Sequence, residues 1–193
     1  MANLQKVYQG GARDGTNAFI YSRFLIPYLC DFEGFAIFMD GADMICKADI
    51  AELWAQRDVF SAVQVVKHDY KTRNPTKYVG TQMEAKNEDY DRKQWSSVML
   101  IYCSHYSWRQ ITPDVVAKAT GAYLHRFQFI DDKFIGALPI EWNWLSQEHG
   151  ETENAKLIHY TVGIPKFEAY KDTPYASDWV HAHSRANEAT SKC

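Results

Sequence analysis

The chain has 193 residues, of which 46% are hydrophobic and 23% charged, with a net charge of −3. That length supports a proper hydrophobic core. The absence of a long basic run argues against a nucleic-acid binder held by phosphate contacts, and no apolar run is long enough to cross a bilayer.

Residues 1–15, with Gly10, Gly11, Asp14 and Gly15, read as a flexible N-terminus without a signal peptide. Residues 16–193 read as a single domain. Thr16 or Asn17 caps a helix carrying Phe19, Ile20, Phe24 and Leu25 on its apolar side, limited by Pro27. Phe35–Met39 is a short apolar run bounded by turn residues and predicts a buried strand. A short helix over 50–56 follows, then a β-branched strand over 59–66. The polar stretch 67–94 is long for a loop in a compact domain. Residues 97–102 predict a third strand, and Pro113 opens a helix that Gly121 would end. Residues 122–150 suggest short pieces packed by aromatics, 156–160 a last strand, and 174–189 a closing helix. Strands alternating with helices indicate α/β architecture. Cys30, Cys46, Cys103 and Cys193 show no paired spacing, so a reduced, cytoplasmic protein is expected.

The chemistry begins where the Phe35–Met39 strand ends, at Asp40 and Asp43. Two carboxylates there repel each other unless something neutralises them. A hard divalent cation such as Mg²⁺ or Mn²⁺ does so, since it favours carboxylate oxygens. A tight turn with Asp43 capping it is the alternative.

Four stretches in order carry a family resemblance: Tyr21–Pro27, Phe38–Met44, Trp95–Leu100 with Asp131-Asp132 and Trp142-Asn143-Trp144, and His159–Lys166. Together they resemble the bacterial sugar transferases related to glycosyltransferase family 8. The resemblance implies a GT-A-like, Rossmann-like α/β fold with a mixed sheet flanked by helices. Phe38-Met-Asp-Gly-Ala-Asp-Met44 stands in the place of the family's DxD motif, here spaced DxxD, and His159–Lys166 is similar to its HxxGxxKPW signature. Family members carry a further strand-helix-strand region before the Tyr21–Pro27 helix, where this chain has only about fifteen residues. An N-terminally shortened chain is therefore expected, lacking the part that contacts the nucleotide base.

By this resemblance the chain is a metal-dependent, retaining glycosyltransferase that moves a sugar from a nucleotide-sugar donor, a UDP-sugar, to a carbohydrate hydroxyl. Asp40, Asp43 and His159 would ligate Mn²⁺ or Mg²⁺. Arg23 would help hold the donor, and Lys166 would neutralise its diphosphate, with Gly163 admitting the backbone close to it. Asp132 or Asp131 would orient the acceptor hydroxyl or take its proton; a helix cap is the competing role for either. Trp95, Ser96 and Asn143 are candidate substrate contacts. Two rival expectations stand beside this one: a non-catalytic remnant that binds a glycan or protein partner, and a metal-dependent phosphate-ester hydrolase using Asp40, Asp43 and His159.

Overall fold

The computed structural model describes residues 18–190. The expected flexible start, the cap at Thr16 or Asn17, the Phe19 side chain and Cys193 lie outside the described residues. The helices are α1 (Ala18–Ser22), α2 (Ile26–Leu29), α3 (Ile50–Trp54), α4 (Pro113–Lys118), α5 (Gly121–His125), α6 (Ser146–His149) and α7 (Ala176–Thr190). The strands are β1 (Phe35–Met39), β2 (Met44–Cys46), β3 (Val63–Val65), β4 (Thr76–Lys77), β5 (Ala85–Lys86), β6 (Val98–Tyr102), β7 (Ile135–Ala137), β8 (Trp144–Leu145) and β9 (Leu157–His159). A 3₁₀ turn, Arg23–Leu25, joins α1 to α2. Among the described residues no helix is long and apolar enough to cross a membrane.

The chain divides into two compact units. The first takes in the described residues through Met39, then Ala51–His68 and Asp91–Leu138. Its four-stranded sheet has the order β1-β6-β3-β7. β6 runs antiparallel to both β1 and β3, whereas β7 runs parallel to β3. Phe24, Leu25, Val63, Met99, Ile101, Trp108, Leu124 and Phe127 form much of its core. β1 matches its predicted span because its five residues pair in full with β6, Phe35 opposite Tyr102 and Met39 opposite Val98.

β3 is shorter than predicted. Asp58 accepts hydrogen bonds from Phe60 N and Ser61 Oγ, so the segment before Ala62 is a turn. Gln64 then sits buried in the middle of β3, where its amide accepts from Asp58 N and donates to Gln56 O. Opposite it lies Gly136, where a Cβ would meet Ser61 Oγ at 2.5 Å. Gly121 opens a helix instead of ending one, because the Thr120 hydroxyl accepts from Tyr123 N and caps α5. The helix before it stops at Ala119, whose backbone is extended.

The second unit comprises Asp40–Ile50, Asp69–Tyr90 and the chain from Pro139. Its three-stranded sheet has the order β2-β9-β8, with β2 antiparallel and β8 parallel to β9. Ile158, Tyr160, Tyr175 and Trp179 form one core cluster, and the Tyr160 hydroxyl donates to Tyr175 O at 2.7 Å. The stretch 69–90, predicted as loop, contains the small β4–β5 ladder. It is fastened by the buried Glu148 of α6, which accepts from Thr72 Oγ1 at 2.6 Å and Arg73 N at 2.9 Å. Asn87 adds two bonds, from Nδ2 to Thr72 Oγ1 and to Asn74 O.

Candidate functional site

The second unit gathers Asp43 and His159. The pairing of β2 with β9 sets Met44 opposite His159, so Asp43, one residue earlier, arrives at the end of the ladder beside the imidazole. The Asp43 carbonyl accepts from Tyr160 N at 2.9 Å and fixes the turn. Asp43 Oδ2 then lies 3.4 Å from His159 Nε2. His159 is 2% exposed, and its Nδ1 lies 3.0 Å from Asn143 Oδ1, which is itself fully buried. Asn143 is placed by the turn that leads into β8, whose Leu145 pairs with His159.

This geometry constrains the protons. With a proton on Nδ1, the ring donates to Asn143 Oδ1, and the bare Nε2 faces a carboxylate oxygen, acceptor against acceptor. Such a contact holds when positive charge enters it, as a second ring proton or a metal ion. With the Asn143 amide reversed, Nε2–H would donate to Asp43, but 3.4 Å is long for that bond. Two ligands on neighbouring vertices of an octahedral ion stand about 3 Å apart, given metal–oxygen bonds near 2.1 Å. A metal-ligating histidine whose other nitrogen is held by a buried acceptor is a recurring arrangement. Asp43 and His159 thus bring together two side chains of the kinds that ligate divalent ions. Among the described residues, no group of three or more His, Cys, Asp or Glu side chains is arranged to hold a metal.

Asp40 is partly buried in the same unit. Its charge and that of Asp43 both act on Tyr78, whose hydroxyl is raised above the usual phenol range first by burial, then by Asp43, Asp40 and Tyr170. Gly163 packs under Tyr170: a Cβ there would lie 2.3 Å from the Tyr170 ring, and the Gly163 carbonyl accepts from Gln147 Nε2 at 2.7 Å. Lys166 is exposed on the same loop.

Arg23, Trp95, Ser96, Asp131 and Asp132 belong to the first unit. Arg23 is buried, donates to Ile20 O and Ser96 O, and lies 4.6 Å from the Phe38 ring centre. Ser96 Oγ lies 2.7 Å from His125 Nδ1. His125 is held down to about 3 by burial and then by the Arg23 charge. Trp95 donates from its indole to His68 O at 3.0 Å, and Arg92 lies over its ring. Asp132, strongly exposed, pairs with Arg92 at 2.5 Å, and Asp131 pairs with Lys133. Asp131 stands at the N-cap of a 3₁₀ turn but makes no side-chain cap bond.

Sequence reasoning did not single out Tyr78, Tyr170 or His125. The available signal for Tyr78 was a bulky residue two before Gly80 in an otherwise polar stretch.

No model of a known protein family matches the sequence. Among solved structures, the chain is similar to the apo-form glycosyltransferase GlyE of Streptococcus pneumoniae TIGR4, with a TM-score of 0.54 and 14% identity over 86% of this chain and 43% of that one. It is also similar to the apo WbbM bifunctional glycosyltransferase, with a TM-score of 0.53 and 18% identity over 88% of this chain and 38% of that one. The chain thus spans less than half the length of either structure, and the likeness shows its mixed α/β fold to be one found in glycosyltransferases. In sequence it is 39% identical over 179 residues to Protein CDI of Arabidopsis thaliana, covering 90% of this chain and 67% of that protein. At that identity and coverage, the chain belongs to the family of Protein CDI.

Proposed function

We propose that this chain is a glycosyltransferase that moves a sugar from a nucleotide-sugar donor, a UDP-sugar, to a carbohydrate hydroxyl, with retention. The observation that carries the reading is the Asp43–His159 contact, with Asn143 holding the ring from behind. Asp43 and His159 would hold Mn²⁺ or Mg²⁺, with Asp40 adding negative charge beside them. When bound, such an ion stabilises the charge that builds on a departing diphosphate. Lys166, exposed on the loop after Gly163, adds positive charge for the diphosphate in this reading. Asp132 remains the candidate for orienting the acceptor hydroxyl or taking its proton, with Arg92 holding its carboxylate in place. The glycosyltransferase fold supports this assignment.

Calorimetry with MnCl₂ and a panel of nucleoside diphosphates tests it. The expected result is nucleotide binding that requires the metal. No nucleotide binding with or without metal overturns the reading in favour of a non-catalytic glycan- or protein-binding role. Phosphate release from simple esters would favour the hydrolase.

A further inference from the structure

Beside Asp132 the first unit has a cavity of about 330 Å³. Small-molecule sites run from about 300 to 1,000 Å³, so this one suits a single ring or a pair of rings and not an extended chain. The buried Phe127 and Ile130 line it from the core side. The exposed Asp91, Gln128 and Asp132 line it from the solvent side.

Two tight turns shape its walls. Arg92 and Phe127 both lie in the left-handed region, with φ of 61° and 52°. Arg92 O accepts from Trp95 N at 3.2 Å and closes the first turn. Phe127 stands just past α5, where glycine is usual. Its N–H donates to Leu124 O, and Gln128 N–H donates to Tyr123 O, each at 3.0 Å. The Phe127 ring is fully buried, edge-on to Phe24, and that burial offsets the unfavourable angle. Arg92 then ties the two turns together. Its Nη1 donates to Arg126 O at 2.6 Å, its Nη2 to Asp132 Oδ1 at 2.5 Å, and its guanidinium lies 5.3 Å from the Trp95 ring centre. Arg92 is thus occupied by the walls. Asp132 is 82% exposed and keeps acceptor capacity, since an ionised carboxylate has about four lone-pair sites.

The lining also selects the class of ligand. Two carboxylates, Asp91 and Asp132, balance two guanidiniums, Arg92 and Arg126. An anion would meet both carboxylates, and a cation both guanidiniums. A neutral polyol avoids either penalty, because each hydroxyl donates to a carboxylate and accepts from an N–H.

We propose that this cavity binds a neutral sugar ring, with Asp91 and Asp132 accepting from its hydroxyls and Gln128 and Arg126 donating to them. The inference rests on the transferase reading only in making that ring the acceptor's.

Ligand-observed NMR titration of the full chain tests it. The probes are the methyl glycosides of glucose, galactose and mannose, with glucuronate and inorganic phosphate as charged counterparts. At least one neutral glycoside should bind in the millimolar range, ahead of both anions. Asp91→Asn and Gln128→Ala, both at exposed positions, should melt as the parent does and each weaken that glycoside about fivefold, as for one lost hydrogen bond. No neutral glycoside binding at concentrations up to about 50 mM overturns the proposal, as does preference for glucuronate or phosphate. Glycoside affinity unchanged in both variants also overturns it, by placing the sugar elsewhere. Calorimetry with UDP in MnCl₂ separates the two readings. UDP binding without glycoside binding leaves the transferase reading standing alone. Glycoside binding that both variants weaken, in a chain that binds no UDP, supports the sugar cavity and overturns the transferase reading.

Discussion

Asp43 and His159 meet at 3.4 Å across the end of the β2–β9 ladder, although they lie 116 positions apart in the chain. A buried imidazole against a carboxylate, with Asn143 on its far nitrogen, gives a direct test of metal binding. Asn143→Ala should weaken Mn²⁺ binding by about 10- to 100-fold through loss of ring orientation. Asp43→Asn, which removes a ligand charge, should weaken it at least as much. Titration calorimetry or competition with a chelating dye reads both. Unchanged Mn²⁺ affinity in Asp43→Asn would mean that the pair is only an ion pair.

Gly163→Ala should destabilise the protein. The added methyl would enter the Tyr170 ring at 2.3 Å, a distance no side chain tolerates without moving. The expected cost is about 1–3 kcal/mol, as for overpacking elsewhere. Urea denaturation measures it. A double change, Gly163→Ala with Tyr170→Ala, should recover part of the loss, whereas no recovery would show that Tyr170 is not the obstacle.

Much of the sheet was legible from local pattern, and much of the site was not. β1 and β6 read correctly because each is a continuous apolar run that pairs along its full length. β3 was over-extended because Val59 and Phe60 look like strand residues, while the Asp58 carboxylate turns the backbone there and leaves Phe60 81% exposed. The Asp43–His159 contact is invisible to spacing; only the resemblance of two distant motifs to one family suggested it. Arg23 shows the same limit, since its carbonyl partner Ser96 lies 73 positions away. Tyr78 was missed because its distinction is a positive backbone angle and a long-range hydrogen bond to Val162, at which a bulky residue two before Gly80 only hints.

Acid should weaken the fold through His125. Its folded pKa is pushed down to about 3 from 6.5. Between those values the unfolded chain binds a proton that the fold excludes, so stability rises with pH across the window and falls as pH drops below 6.5. The loss assignable to His125 between about pH 7 and pH 5 is about 2 kcal/mol. His125→Asn should remove that share, making the urea midpoint less sensitive to pH than in the parent. Equal sensitivity in both proteins would assign the acid response to other groups.

Glu148→Ala should release the stretch that contains Thr72 and Arg73. The carboxylate accepts three hydrogen bonds from that stretch, including the Asn74 amide at 3.3 Å. The expected stability cost is about 1–3 kcal/mol, since buried donors lose their partner. Limited trypsin digestion should cut first at Lys71, Arg73 or Lys77 in the variant while sparing them in the parent. Identical digestion patterns would show that the clamp does not hold the segment.

The path of the chain through its two units has a practical consequence. It passes from one to the other after Met39, Ile50, His68, Tyr90 and Leu138. Neither unit is therefore a continuous piece of gene. A deletion series from either end would remove part of one sheet before completing the loss of the other, so fragments chosen by sequence position will report on damaged folds. Dissecting this protein calls for point substitutions within each unit, and any split or permuted version needs new termini placed with both sheets intact.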